Sequence, residues 1–550
     1  MIRHLFYSLR YTKPSQLFAL VQFKLIKPKP DLSPAPEVCD FTSLKKIWQK
    51  PVEKFQVLIG PVQFRFLNEE HEIHLSQSWN DPASKKLWLY NLHYFDDLNA
   101  IDSRKRTEWH HELIHRWILE NPPPSGNGWE PYPLSLRIVN WIKWGLAGNR
   151  ITEEMRQSLA VQTRYLMKRL EYHLPGNHLL KNGVALIFSG AFFEGAEPKK
   201  WLEQGMRIVS TEIQDQILPD GGHFERSPMY HSIVLEDLLD CVNILSSQGL
   251  QKEYSDQILE LKKTAEKMLE FLSDILNPDG SIPLFNDSAY HVSAEPGELF
   301  SYADRLGIKY HQSAEGCPVM VKKDFGLYIL KSKRIRLTLD CGAIGPDYLP
   351  GHAHCDTLSY ELWINGQPLV VDTGTFEYSG LRRRIDRSTL SHNTVMIDRA
   401  EQHEIWKEHR VARRGYPLSP SIKEEKGKIT FEGGHDGFCR LSGKPVHWRS
   451  VSLEESETLE IKDDVTGQGR HLIESFVHFH PDVELNLEKD GKGTLSLKGE
   501  KTFFEMWNFD SYQIEESFFC PEFGLKIPNK RIRMIKEGKL PLDIGVRFKG

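Results

Sequence analysis

The segment from Gly351 to Thr357 holds the densest group of side chains that could do chemistry, because two histidines and an aspartate alternate there with Ala and Cys. A strand-like run, 358–364, follows directly. In an extended chain, side chains two positions apart point to the same face. His352, His354 and Asp356 are therefore expected to project together. Imidazole is the commonest metal ligand and the side chain best suited to proton transfer near neutral pH.

Asp372 and His392 extend this group of candidate ligands. Asp372 lies in Val-Val-Asp-Thr-Gly and His392 in Ser-His-Asn-Thr-Val. Together with the segment above, they supply enough ligands for one divalent ion and leave a histidine for acid–base chemistry. The alternative is a buried, hydrogen-bonded polar pair that binds no ligand.

A second group lies at 175–182, where a loop is expected to enter a helix. Asn177 and His178 there offer amide and imidazole donors to a substrate carboxylate. Alternatively, Asn177 caps the helix, because its side-chain oxygen can accept an orphan backbone N–H.

A third group follows the Gly-Gly pair at 221–222. Ser227-Pro228 is a common pair at a helix start, which places Tyr230 and His231 in the first helical turn. The positive end of the helix dipole favours a tyrosinate there, and a tyrosine needs such help to act as a base because it normally ionises near pH ~10. The alternative is a core aromatic residue.

Two further polar stretches have less specific patterns. The stretch 283–288 ends an apolar run and is interpreted as a turn, with lining of the same cleft as the alternative. The run from Arg382 to Arg387 is a local basic patch in an acidic protein. It forms either a solvated loop or a site for an acidic polymer, since arginine pairs with carboxylate or sulfate through two hydrogen bonds.

The length of the chain, 550 residues, predicts more than one domain, because single cores stop growing near roughly 250–300 residues. The pattern divides into a helical segment with a linker at 1–37, a helical domain at 38–315 and a β domain at 316–550. Helices followed by strands, without alternation of the two, indicate separate domains.

The helical period extends from about residue 100 to 306. A run of antiparallel helices of this length is typical of a solenoid or toroid. After 316, short alternating runs separated by turns such as Asn365-Gly366 predict an antiparallel sandwich. The candidate helices are Arg104–Glu120, Leu134–Leu146, Glu153–His173, His178–Phe193, Glu197–Leu218, Tyr230–Ser247 and Glu253–Leu276.

The composition excludes several classes of protein. The formal net charge of −5 provides no global basic field for nucleic acid. Seven scattered cysteines without a Cys-x-x-Cys pair argue against a disulfide framework. We expect no transmembrane segment, and the oligomeric state is left open.

The first residues do not form a signal-peptide pattern, because Arg10, Lys13 and Pro14 interrupt the apolar run. The next stretch, 17–26, is too short to span a bilayer. It is expected to be an amphipathic helix that docks on the body of the protein, with a membrane surface as the alternative.

Taken in order, Asn177-His178, Tyr230-His231 and the Gly-His-Ala-His-Cys-Asp opening of the β domain resemble the heparinase II/III superfamily of polysaccharide lyases. The resemblance extends from about residue 40 to the C-terminus. It implies an incomplete (α/α) toroid followed by an antiparallel β-sandwich, with the active site between them. It also implies β-elimination of a uronic-acid-containing substrate, either glycosaminoglycan-like or a bacterial exopolysaccharide. Further matching motifs are 371–375, 387–395, Asp398, 404–406 and 435–437.

The resemblance also implies roles for individual residues. Asn177 and His178 match the pair that neutralises the substrate carboxylate. Tyr230 matches the tyrosine that protonates the glycosidic oxygen, and His352 matches the histidine that assists as base. Which of Tyr230 and His352 removes the C5 proton stays open. The residues expected to contact substrate are His231, Tyr378, Arg382 and Arg387.

The same resemblance implies a structural zinc ion held by His354, Asp372 and His392. The ion would hold the loop that carries His352, while Asp356 could orient a histidine. Structural zinc usually has four ligands, so water or another residue would complete the set.

Two other functions are kept as alternatives. One is a non-catalytic glycan-binding protein of a polysaccharide export system, and the other is a zinc hydrolase that activates water. The family resemblance implies the periplasm or cell envelope, whereas the missing signal-peptide pattern leaves the cytoplasm open.

Overall fold

A computed structural model describes residues 2–39, 48–247, 250–313 and 316–549. The predicted domain boundary at 315 lies at the edge of a stretch outside these residues. Within the described ranges, the helices α1 to α12 are, in chain order, Ile2–Tyr11, Pro14–Leu25, Lys86–Tyr94, Thr107–Glu120, Pro131–Leu146, Glu153–Met167, Asn177–Phe192, Ala196–Gln216, Pro228–Ser247, Ser255–Ile275, Pro296–Arg305 and Leu381–Asp386.

The helices from α4 to α10 correspond one to one to the seven predicted ones, with ends that differ by a few residues. Two helices of the same region were not predicted. In α3, aromatic and apolar residues occupy most positions and obscure the helical period. The other, α11, is a ten-residue helix that begins at Pro296.

The β domain follows from β3 onward. The strands β1 to β21 are Gln63–Phe66, Glu69–Glu72, Val319–Lys322, Leu327–Lys331, Ile335–Asp340, Tyr360–Ile364, Gln367–Val370, Val395–Ile397, Ile405–Trp406, Arg410–Val411, Pro417–Glu425, Lys428–His435, Val446–Glu454, Thr458–Thr466, Arg470–His478, Glu484–Leu487, Lys492–Leu497, Glu500–Trp507, Ser511–Phe519, Ile527–Lys539 and Leu542–Lys549.

The strands of the β domain form three large antiparallel sheets. Their orders are β3-β4-β5-β6-β7, β19-β20-β15-β8 and β11-β12-β13-β14-β21-β18-β17-β16. Burial alternates along β13 and β14, so that one face of each strand packs into the core. The structure therefore has a helical region followed by an antiparallel β-sheet domain, as the sequence predicts.

The two domains share a packed boundary. The core of the helical domain includes Phe325, Leu327, Ile329 and Phe523 from the β domain. A separate apolar core lies between the sheets of the β domain. This boundary is where the polar residues singled out from the sequence meet. Among the described residues, no helix is both long and apolar enough to cross a bilayer.

Candidate active site

The segment 351–357 is a loop between β5 and β6, not the extended strand that the alternating pattern predicts. Nevertheless, His352 and His354 contact the same carboxylate. His352 Nδ1 lies 2.8 Å from Asp287 Oδ2, and His354 Nε2 lies 2.8 Å from Asp287 Oδ1. The loop geometry thus joins the two rings through a residue of the helical domain.

The Asn286-Asp287 turn holds this loop in place through its backbone. The amide of Asn286 donates to Asp356 Oδ2 at 2.9 Å, and the side-chain oxygen of Asn286 accepts from the amide of His354 at 2.9 Å. The amide of Asp287 donates to the carbonyl of His352 at 3.1 Å. The stretch 283–288 therefore contains a turn, as predicted, and its Asp287 also contacts the two histidines of the loop.

Asp287 is completely buried and paired with Arg383, whose side chain is 1% exposed. Arg383 Nη2 donates to Asp287 Oδ2 at 2.7 Å. Burial alone would raise the pKa of Asp287, but the Arg383 guanidinium and the hydrogen bonds from His352 and His354 hold that pKa well below its usual range. An ionised carboxylate can only accept, so Nδ1 of His352 carries a hydrogen and Nε2 is left as the basic nitrogen.

Tyr230 lies in the first turn of α9, as predicted, and its ring packs against His352 at a centroid distance of 4.0 Å. Ser227 Oγ caps this helix by accepting from the amide of Tyr230 at 3.2 Å. The Tyr230 hydroxyl lies 3.1 Å from the hydroxyl of Tyr378. Burial, followed by the neighbouring Tyr378, raises the pKa of Tyr230 well above its usual value. Burial therefore acts against the tyrosinate that the helix dipole would favour, because it disfavours the charged form of the phenol.

Asn177 is the first residue of α7, and its amide group is held by Glu225 rather than used as a cap. Nδ2 of Asn177 lies 3.0 and 2.8 Å from the two Glu225 carboxylate oxygens, and its backbone N–H donates to Glu225 at 3.1 Å. Glu225 Oε2 also lies 3.4 Å from His352 Nε2. Glu225 therefore connects the helical half of the site with the histidine of the β domain.

We expect Glu225→Gln to lower kcat/KM by about 10- to 100-fold, because an amide removes one acceptor from the buried Asn177 side chain at a cost of about 1–3 kcal/mol. Steady-state kinetics with a polymer that the wild type cleaves would measure the loss. Glu253→Gln is the matched control, since the Glu253 side chain is 54% exposed. Equal activity in wild type and Glu225→Gln would contradict this role.

His178 is more accessible, with 34% of its side chain exposed. Its ring packs on Tyr132 at 4.3 Å, and Nδ1 lies 3.1 Å from Glu171 Oε1. Burial opposes the charged form, but the Glu171 carboxylate outweighs it and raises the pKa of His178. The arrangement favours an imidazolium on a side chain that is partly open to solvent.

Because its pKa is raised, His178 keeps its proton to higher pH than a free histidine and loses it as the pH rises through that value. Glu171→Gln should therefore move the alkaline fall of kcat/KM to lower pH, with about a tenfold loss of protonated His178 for each pH unit above the new pKa. A pH profile of kcat/KM checks this. An alkaline limb at the same pH in both proteins would show that His178 does not need its charge.

A candidate metal centre lies beside the loop, where His354, Asp356 and His392 offer ligand atoms within 4.8 Å of one another. Nδ1 of His354 and Nε2 of His392 are buried and have no hydrogen-bond partner among the residues that the structure describes. Asp372 was predicted to be a metal ligand. In the structure, its Oδ2 instead accepts a hydrogen bond from Nδ1 of His392 at 2.8 Å. The structure thus places Asp356 with the two histidines and gives Asp372 the orienting position expected of Asp356.

The residues expected to contact substrate lie in different surroundings. Tyr378 is half-buried and reaches Tyr230. His231 is completely buried, with Nε2 3.0 Å from the carbonyl of Met268, so the structure does not bring it to the cleft. Arg387 is also completely buried and donates to the carbonyls of Ala353 and Glu408 at 2.9 Å each.

The predicted basic patch is divided by the helical period of α12. Arg383 and Arg387 are four residues apart and both are buried, so the run is neither a fully solvated loop nor one continuous basic surface. Arg382 pairs with Asp386 at 2.5 Å and keeps 18% of its side chain exposed. Arg384 is exposed.

Sequence reasoning missed Glu225, Glu171 and Arg383 as individual members of the site. Glu225 stands in the same short stretch as Tyr230, and Arg383 stands in the basic run, so both were near a recognised motif. A carboxylate or guanidinium that becomes buried needs a partner, but the sequence does not show which residues become buried.

Family models match most of the chain. The model described as Heparinase II/III N-terminus matches residues 99–302, and the model described as Heparinase II/III-like, C-terminal, matches residues 319–544.

Individual proteins are similar over shorter stretches. A heparin-sulfate lyase of Bacteroides stercoris is 30% identical over 245 residues, which cover 41% of this chain and 36% of that protein. A heparin-sulfate lyase of Pedobacter heparinus is 28% identical over 359 residues, which cover 58% of this chain and 53% of that protein. The matches therefore span about half the length of these relatives or less.

The fold is also similar to that of a solved structure. A crystal structure of heparinase III superposes with a TM-score of 0.72 at 16% identity, covering 97% of this chain and 88% of that one.

Proposed function

This chain belongs to the heparinase II/III family, and from that premise we propose that it cleaves a uronic-acid-containing acidic polysaccharide by β-elimination. The observation that carries the proposal is the position of His352. Its Nδ1 is bound by Asp287, its ring packs on Tyr230, and its Nε2 faces the Glu225–Asn177 pair. Two of the curated relatives are named heparin-sulfate lyases, which supports a glycosaminoglycan-like substrate.

The reaction needs three functions of the protein. A base removes the proton from C5 of the uronate, and the electron pair left behind spreads into the carboxyl group. The C4–O bond then breaks, and the leaving oxygen takes a proton from an acid. The product carries a C4=C5 double bond conjugated with its carboxylate. Because negative charge builds up on the carboxyl group when the C5 proton leaves, the protein must stabilise that charge during the reaction.

Nε2 of His352 is the proposed base, because Asp287 holds the hydrogen on Nδ1. Tyr230 is the proposed acid, since its raised pKa keeps a proton available for the leaving oxygen. Its proton can be restored through the Tyr378 hydroxyl, which lies within hydrogen-bond distance. The alternative is that Tyr230 performs both transfers, with its hydroxyl deprotonated only when substrate binds.

Neutralisation of the substrate carboxylate is assigned to His178 and Asn177. The raised pKa of His178 supports an imidazolium at the edge of the cleft. Asn177 contributes from the start of α7, where the helix dipole favours an anion, and its N–H groups must exchange Glu225 for the substrate carboxylate.

The test is an activity screen with defined uronic-acid polymers, beginning with heparan sulfate and heparin and continuing with chondroitin sulfate and alginate. The expected result is new ultraviolet absorbance from unsaturated uronate ends. Binding without product across the panel would instead identify a glycan-binding protein. Saturated ends, with turnover that stops at once on chelation, would identify a zinc hydrolase.

We also propose that a structural zinc ion is held by Nδ1 of His354, Nε2 of His392 and the Asp356 carboxylate. The two unpartnered, buried ring nitrogens support this set, and imidazole and carboxylate suit zinc. When bound, the ion would supply binding energy that holds the loop of His352, and Asp372 would orient His392.

Elemental analysis of the purified protein is expected to find one zinc per chain, and chelation should lower the melting temperature. His392→Ala should lose the metal and the response to chelator. His115→Ala is the control, because the side chain of His115 is 51% exposed and distant in sequence from this group. Full zinc content in His392→Ala would overturn the assignment.

A further inference from the structure

The helices α1 and α2 lie outside both family matches, which begin at residue 99. We refer to residues 2–30 as the basic helical pair. The sequence of the second helix predicts docking on the body of the protein, with a membrane surface as the alternative.

The inner face is attached to both domains. Ser8 Oγ of α1 donates to the carbonyl of Val411 at 3.1 Å, and the Arg414 guanidinium lies 3.7 Å from the centre of the Tyr11 ring. In α2, the Arg169 guanidinium lies 3.5 Å from the centre of the Phe23 ring. The pair is therefore held against the protein along one side, which agrees with the docking expectation.

The outer face is apolar and uncovered. Phe18, Val21 and Leu25 are 65%, 54% and 76% exposed, and their spacing of three and four residues places them on one side of α2. Phe6 on α1 is 66% exposed and Ile26 after α2 is 56% exposed. A soluble surface normally scatters such side chains singly, whereas here they follow one another over two consecutive helices.

The charge of the pair selects the kind of partner. Residues 1–30 contain no acidic residue, although the whole chain has a net charge of −5. Arg3 pairs with Glu404 of the body, while Arg10, Lys24, Lys27 and Lys29 are exposed. Large apolar side chains beside lysine and arginine are the pattern of helices that lie in the interface of an anionic membrane. A second copy of the chain would bring like charges together, and a soluble polyanion would leave the apolar face uncovered.

We propose that the outer face of the basic helical pair docks on an anionic lipid surface, with Phe18, Val21 and Leu25 entering the interface. The inner face keeps the body of the protein at that surface. The proposal concerns a part of the chain that the lyase reaction does not use, so it stands independently of the proposed function.

The test is flotation of the full chain with vesicles of phosphatidylglycerol and phosphatidylcholine in equal parts, compared with phosphatidylcholine alone. The wild type should float with the anionic vesicles, and less of it should do so at high salt. The double variant Phe18→Asp/Val21→Asp should bind at least about tenfold more weakly, because two exposed apolar anchors become charged. The melting temperature of this variant should equal that of the wild type, since both positions are solvent-exposed.

Leu259→Asp is the matched control, because Leu259 is 51% exposed on another helix. It should float like the wild type. Failure of the wild type to float, or equal loss in the control, would overturn the proposal. Sedimentation that shows a dimer abolished by Phe18→Asp/Val21→Asp, without vesicle binding, would overturn it in favour of self-association.

Discussion

Tyr230→Phe is expected to lower kcat by about 10²- to 10⁴-fold, the usual contribution of a positioned proton donor. The substitution removes only the hydroxyl. The phenyl ring can keep its packing on His352, 4.0 Å away, and the cap from Ser227 uses the backbone, so the fold should be unchanged. Release of unsaturated product, followed by ultraviolet absorbance, measures the effect.

The control for this variant is Tyr172→Phe, because Tyr172 is 46% exposed and lies on the protein surface. It should have the activity of the wild type. Substrate binding by Tyr230→Phe, measured by calorimetry, should change much less than kcat, because the lost proton transfer acts on the transition state. Full activity in Tyr230→Phe would remove the phenol from the mechanism.

Asp287→Ala is expected to destabilise the protein by about 3–5 kcal/mol, because it leaves Arg383 buried without its counter-charge. It also frees Nδ1 of His352 and Nε2 of His354, so the loop loses the contact that joins both rings. Chemical denaturation would measure the stability, and turnover should fall even at temperatures where the variant is folded.

The double variant Asp287→Ala/Arg383→Met separates charge from packing. Removing both charges should recover part of the stability, since no uncompensated ion remains, but activity should stay low because His352 still lacks its partner. Asp482→Ala is the control for loss of an aspartate, with 61% of that side chain exposed. A stability of Asp287→Ala equal to that of the wild type would contradict the buried ion pair.

The elements that position the site could largely be predicted. The helical period located α7 and α9, and the motifs placed Asn177 at the junction that opens α7 and Tyr230 in the first turn of α9. These predictions succeeded because they depend on local patterns, such as Pro at a helix start and apolar residues at helical spacing.

The partners of these residues could not be predicted in the same way. Glu225 and Asn177 are 48 residues apart, and Arg383 and Asp287 are 96 residues apart. Nothing in the local pattern of either residue indicates the other. The protonation state of Tyr230 also depends on tertiary structure. The helix start favours a tyrosinate, whereas burial raises the pKa of the phenol.

The sequence by itself determined the order of a helical and a β domain, the family, and the motif residues that meet in the cleft. Only the tertiary structure decided how they are connected. It made Asp287 the common partner of two histidines, grouped Asp356 with His354 and His392, bonded Asp372 to His392, and buried Arg387. The physical reason is that motifs follow local spacing, whereas the choice of partner for a buried charge follows from which distant surfaces lose their water on folding.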